Sequence, residues 1–442
     1  MTEEEKGPGS APPDPQDNFD PADISPRSSW RERIRSLAMD LSPLRESRDY
    51  RNMWIGTSVS FMGSWMTFIA IPFQVFQITG STLAVGLLGL CDLVPMLVLS
   101  LFGGALADAL DRRKLLLVTD FAAALVATVL AINATLGDPQ LWLLYVGTFS
   151  ISAMYALGSP AQRSSAPLLL DEKSIPAASA LSGASHNLSS MLGPAIGGVI
   201  IASLGLGATY LIDAATFVFS LVMVFLIRPL PPISDAVRPG FRSLFDGLRF
   251  LKGRPVLQGS FIVDINAMVF GMPYALFPAV AQSFGGARVL GLLYTAPPAG
   301  ALIASVTIGW SKGMRRHGLI VNISVVLWGA ALVAFGLSGS LWMALLWLAV
   351  AGAADAVSAI FRNTILQMST PKDMLGRLSG LEMSVVASGP SLGDLEAGAL
   401  AALTSVRFSI VSGGLACIAG VGVMTLLLPA FHRYKAPAGE VT

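Results

Sequence analysis

Charge is scarce in this sequence: Asp, Glu, Lys and Arg make up 13% of its 442 residues, while 53% are hydrophobic. A chain so composed cannot cover itself with polar side chains, so its solvent is mostly lipid. Cysteine is nearly absent. Cys91 and Cys417 both lie in apolar runs, which excludes a disulfide framework or a cysteine metal cluster. The three histidines (His186, His317 and His432) stand far apart with no nucleophile–base pattern, so neither an enzyme nor a cofactor site is expected. A net charge of +1 argues against nucleic acid as a partner. There is no apolar signal core at the N-terminus. Residues 1–29 are rich in Pro, Asp, Glu, Ser and Gly and read as a disordered cytoplasmic tail. Residues 30–44 suit either a short basic amphipathic helix on the inner membrane surface or a plain linker. Long polar loops are also missing, which leaves no folded domain for a sensor or scaffold.

What the chain does have is charge-poor runs, each long enough for a membrane crossing of about 20 residues. They fall at 53–78, 83–107, 114–135, 141–162, 174–202 and 208–228, then at 256–283, 289–311, 317–337, 341–362, 375–403 and 407–431. Twelve spans thus divide six and six. The expected organisation is a tail (1–49), a six-helix bundle (50–228), a basic connector (229–255), a second bundle (256–432) and a short tail (433–442). Of 29 Lys and Arg residues, only Arg288 and Arg407 fall at turns on one side, leaving 27 on the other. By the positive-inside rule both termini are cytoplasmic.

The second and third spans meet at a tight basic turn, Gly103-Gly104-Ala105-Leu106-Ala107-Asp108-Ala109-Leu110-Asp111-Arg112-Arg113-Lys114. Gly104 allows close helix approach, and the cations hold the turn in the cytoplasm. Gly309-Trp310-Ser311-Lys312-Gly313-Met314-Arg315-Arg316 closes the eighth span in a similar way, where an internal duplication requires it.

These residues resemble the major facilitator superfamily. Gly104, Asp108, Arg112 and Arg113 look like its signature between helices 2 and 3, and Gly193-Pro194-Ala195-Ile196-Gly197-Gly198 is similar to the motif of its exporters. Leu290-Gly291-Leu292-Leu293-Tyr294, Thr370-Pro371-Lys372-Asp373-Met374-Leu375-Gly376-Arg377 and Gly393-Asp394-Leu395-Glu396-Ala397-Gly398 resemble the branch holding the enterobactin exporter and related drug-efflux proteins. The resemblance covers about residues 50–432 and implies an all-α membrane protein of twelve helices in two pseudo-symmetric bundles. It also implies a cytoplasmic gate at the basic turn and helices 1 and 7 facing a central cavity. One departure stands out: Ala109 occupies the position where the family usually has a basic residue, and Asp111 a position often held by Gly.

Ionisable side chains inside a span are costly and point to function. Asp264, Asp394, Glu396 and Asp92 are the candidates for proton coupling, while Asp355 and Glu382 suit structural pairing with Arg362 or Arg377. Asp394 and Glu396 are two positions apart and cannot share one face of an intact helix. Gly389, Pro390, Gly393 and Gly398 would allow a break there. The alternative for these carboxylates is to cap a half-helix or pair across helices. Asp213 is expected to cap the sixth span or lie solvated near the outer interface, and Asp120 to snorkel from the third. Arg163 and Arg362 take equivalent places in the two halves and either anchor at the interface or pair with the acids of the turn. His186, Asn187, Phe61, Trp65, Phe270 and Tyr274 are candidates for the cavity wall. In the helix 5 motif, Gly193, Pro194, Gly197 and Gly198 would form a pivoting face against helix 8. The expected function is export of a small amphipathic molecule from a bacterial cell by proton antiport. Lipid and protons are its other partners, and one chain suffices. Gradient-driven import is the alternative.

Overall fold

Chain segments that cross lipid must satisfy their own backbone hydrogen bonds, and here they do so as helices. The computed structural model describes residues 40–232, 247–311 and 313–436. The expectations for residues 1–39, for most of the basic connector and for the last six residues lie outside the described residues.

The first half holds α1 (Arg48–Thr79), α2 (Thr82–Ala109), α3 (Arg112–Thr135) and α4 (Leu141–Leu169), then the long helix Ile175–Phe225. Gly205 divides that helix into two limbs, α5 (175–204) and α6 (206–225), at φ 86° and ψ 174°. The second half begins with a broken helix, α7a (Pro255–Gly271) and α7b (Phe277–Phe284). It continues with α8 (Ala287–Thr307), α9 (His317–Gly336), α10 (Leu341–Ser369), α11 (Lys372–Leu403) and α12 (Val406–Leu427). Ten stretches among the described residues are apolar and long enough to cross a membrane. One of these, Glu172–Phe225, contains two crossings, and α11, a 32-residue helix outside that set, brings the total to twelve.

Two expectations about local structure are corrected. The seventh span is not one helix, because Pro273 removes an amide and the backbone leaves helical geometry at Met272. The orphaned groups find partners: Trp328 Nε1 donates to Gly271 O at 3.0 Å, and Tyr294 Oη donates to Tyr274 O at 3.1 Å. The break expected in α11 is absent. Gly389 and Gly393 instead let α11 approach α7a, where Gly393 lies against the Met268 and Val269 carbonyls.

The core shows how the bundles meet. At the end bearing the Gly80 turn and the Gly205 joint, one hydrophobic cluster spans both halves, including Ile71, Val85, Ile201, Leu276, Leu290 and Ala397. At the basic-turn end the halves have separate clusters, Tyr50, Leu115, Leu181 and Val224 in one, Leu257, Leu366 and Leu378 in the other. The bundles therefore close at the first end and part at the second.

Candidate functional site

The closure rests on two crossings of small residues. On α2 and α11, a Cβ at Gly86 would lie 2.7 Å from Asp394 O and 3.2 Å from Gly398 Cα, and Thr82 Oγ1 donates to Gly398 O at 3.0 Å. On α5 and α8, a Cβ at Gly198 would lie 2.7 Å from Ala287 O and 2.9 Å from Gly291 Cα, while Thr295 Oγ1 donates to Met191 O at 3.0 Å. The helix 5 motif thus serves two contacts: Gly198 meets α8, and Gly193 and Gly197 pack on Trp65 and Met66 of α1.

Beneath this layer lies a cavity of about 490 Å³ between the bundles. Asp92 sits at its closed end and accepts from Ser152 of α4 and from Ser391 of α11, the latter at 2.8 Å. A single carboxylate therefore ties the two bundles together. Asp394, on the same wall, accepts the Ala275 N–H at 2.7 Å. It holds the first turn of the second half of α7, where unpaired amides favour a negative group.

An aromatic band runs along the cavity. His186 lies edge-on to Phe61 at 5.6 Å between ring centroids, and Trp65 meets Phe68 at 5.0 Å. Phe68 touches Tyr294 at 5.7 Å, and Tyr294 stacks on Tyr274 at 5.7 Å, which carries the band into the second bundle.

Several expected site residues lie elsewhere. Asp264 is buried but off the cavity, and Arg362 Nη2 holds its carboxylate at 2.8 Å. Arg362 lies seven residues before the end of α10 rather than at it, so it neither anchors at the interface nor pairs with the acids of the basic turn. Glu396 is half-buried away from the cavity, as two positions on an unbroken helix require. Phe270 is exposed on the outer surface, since six residues from Asp264 is about 600° of rotation, or roughly 240° around the helix. Asn187 is exposed next to His186 but does not line the cavity. Arg163 is exposed on α4, six residues before that helix ends.

Two carboxylates of the cavity wall depart from the sequence expectation. Asp213 is not a cap, because the loop-free Gly205 joint puts it about 12 Å into α6. It is 1% exposed on the cavity wall, where it accepts from Thr67 Oγ1 at 2.5 Å and from Thr216 Oγ1 at 3.4 Å. Asp120, rather than snorkelling, accepts from Ser220 Oγ at 2.8 Å and also lines the cavity. A polar ladder signals both sites in the sequence: Thr67, Asp120, Thr216 and Ser220 stand in otherwise apolar spans.

At the basic turn, Gly103 packs on the Ala156 backbone of α4, and Gly104 is half-buried beside it. Asp108 and Arg112 lie 3.6 Å apart. Arg112 is fully buried and donates to Ser164 Oγ and Pro231 O, while Arg113 donates to Val224 O and Phe225 O at the end of α6. Asp111 is the N-cap of α3, accepting from Arg113 N at 2.9 Å and from Leu230 N at 3.1 Å. The position often held by Gly thus has a capping role here.

Two six-helix bundles around one central cavity, closed at one end by glycine crossings, define a major facilitator transporter. The family model for transmembrane secretion effectors matches residues 38–438, and the chain belongs to that family. It is similar to the enterobactin exporter EntS of Citrobacter koseri, with 29% identity over 405 residues, 91% of this chain and 97% of the relative. The similarity to EntS of Shigella boydii serotype 18 is 29% over 410 residues, 92% and 98% of the two chains. Among solved structures, the nucleoside transporter NupG matches with a TM-score of 0.63 and 12% identity over 87% of this chain and 98% of its own. A bacterial homologue of the human lysosomal transporter Spinster, described as inward-facing and unoccupied, matches with a TM-score of 0.63 and 14% identity over 87% and 95%. The last two establish the fold alone.

Proposed function

We propose that this transporter exports a small amphipathic molecule, of the siderophore, drug or secondary-metabolite kind, across a bacterial cytoplasmic membrane by proton antiport with alternating access. The observation that carries the reading is the cavity itself: it ends blindly under the glycine crossings, with Asp92 and Asp394 at that end. Its volume lies within the range of small-molecule sites. The Lys and Arg bias makes the basic-turn end cytoplasmic, so this state loads from inside, and both termini lie on that side. The resemblance to enterobactin exporters supports outward transport of a molecule of that class. A complete pathway within one chain supports action as a monomer.

Among the four coupling candidates, Asp394 and Asp92 are the proton carriers in this reading. Both face the cavity, and both hold contacts that must break when the bundles tilt: Asp92 with Ser391, and α11 with α2. Asp264 is a structural partner of Arg362, and Glu396 has no access to the cavity. Inverted membrane vesicles with an imposed proton gradient test this. Addition of iron-free catecholate siderophore, or of an amphipathic dye, is expected to release protons. Asp394→Asn is expected to reduce that release at least tenfold, and Asp92→Asn to weaken it. Substrate uptake without proton movement sinks the antiport reading.

A further inference from the structure

The cavity wall is unbalanced in charge. Four carboxylates reach it (Asp92, Asp120, Asp213 and Asp394), and among the described residues no Lys or Arg does. Their partners are hydroxyls and one backbone amide: Ser152 and Ser391 on Asp92, Ser220 on Asp120, Thr67 and Thr216 on Asp213, Ala275 N–H on Asp394. Such donors satisfy lone pairs without supplying a countercharge. The wall also carries aromatic rings. Phe61, Trp65 and Phe68 line it on the first bundle, Tyr274 and Tyr294 on the second. An aromatic face carries partial negative charge and attracts cations. Low-dielectric walls around charges of one sign focus their field on whatever enters.

We propose that the cavity prefers amphipathic molecules with a single positive charge on an aromatic or apolar body, admits uncharged ones less well, and turns away anions of the same shape. The proposal rests on this cavity being the transport site and adds the charge of its substrate. Asp213 and Asp120, on the wall of the first bundle, select for charge. They are distinct from Asp92 and Asp394, to which proton exchange is assigned above. An iron-loaded, anionic chelate is then excluded even where its uncharged metal-free form passes.

Tetraphenylphosphonium and tetraphenylborate share one shape and differ in sign. Full-length protein in an uncharged detergent is titrated with each, binding is read by tryptophan quenching, and Trp65→Phe supplies the background. The phosphonium is expected to bind at least tenfold more tightly, a difference of about 1.4 kcal/mol. Asp213→Asn and Asp120→Asn, each with an unchanged melting temperature, are expected to narrow that preference severalfold. Equal affinities, tighter borate binding, no binding of either ion, or an undiminished preference in the Asp213→Asn/Asp120→Asn double variant overturns the proposal. The readout is independent of coupling. Proton-linked efflux with charge-blind binding rejects this proposal alone, whereas cation-selective binding without proton movement rejects antiport alone.

Discussion

Asp264→Ala is expected to destabilise the protein by up to about 3–5 kcal/mol, because it removes the one carboxylate in direct contact with the buried Arg362 guanidinium and leaves only the more distant Asp355 and Glu382 as countercharges. The pair is buried on both sides, with side-chain exposures of 6% for Arg362 and 4% for Asp264, at a 2.8 Å contact. Ser358 Oγ also accepts from Arg362, and Asp355 and Glu382 lie near enough to share its field, but neither carboxylate contacts it directly as Asp264 does. Arg362→Ala carries a similar cost through the opposite member. Removing both charges at once, as in Asp264→Leu with Arg362→Met, restores most of the loss, since well-packed apolar residues often replace a buried ion pair at little cost. Melting temperatures in detergent for the two single variants and the double variant give the coupling directly. If the single variants are as stable as the parent, Asp264 is not held in this way and returns to the list of proton carriers.

The second large effect is expected at the glycine crossings. A methyl group at Gly198 or Gly86 would meet backbone atoms of the facing helix at 2.7 Å, and a backbone cannot turn aside as a side chain can. Overpacking of this kind costs about 1–3 kcal/mol. Here only the state closed at this end bears that cost, so Gly198→Ala and Gly86→Ala shift the population toward the opposite state by roughly tenfold per 1.4 kcal/mol. Efflux is expected to fall at least tenfold in each, with little change in melting temperature. In a Cys91→Ala background, a Ser391→Cys reporter is expected to react faster with an impermeant thiol reagent added from the Gly80 side. Unchanged labelling in both glycine variants would show that the crossings do not set access.

The sequence carried the crossings in plain form, because lipid solvent forces long apolar runs and charged turns stay outside it. Apolar run length set most of the spans, α11 with its charged residues being the weakest, and the Gly-Pro motif of α5 marked a real contact face. Legibility ended where position depends on the joints between elements. One residue between α5 and α6 moved Asp213 from an expected cap to the cavity wall. Pro273 broke α7, although the Gly-Pro cluster of α11 had suggested the break lay there. The pairing of Asp264 with Arg362 joins residues far apart in the chain, and no local pattern distinguishes it from pairing with Asp355 or Glu382. The family resemblance put Phe61, Trp65, Phe270 and Tyr274 on helices that face the cavity but not which of them point into it, and the side of Phe270 follows from the rotation of α7a.

The joint at Gly205 has a mechanical consequence. Two helices linked by one residue cannot separate at that end, while a glycine in open surroundings leaves the angle between them free to change. A shift of α5 over α8 would therefore displace the adjoining end of α6, the helix that bears Asp213. The seal at one end of the pathway and a carboxylate on its wall are thus tethered through a single glycine.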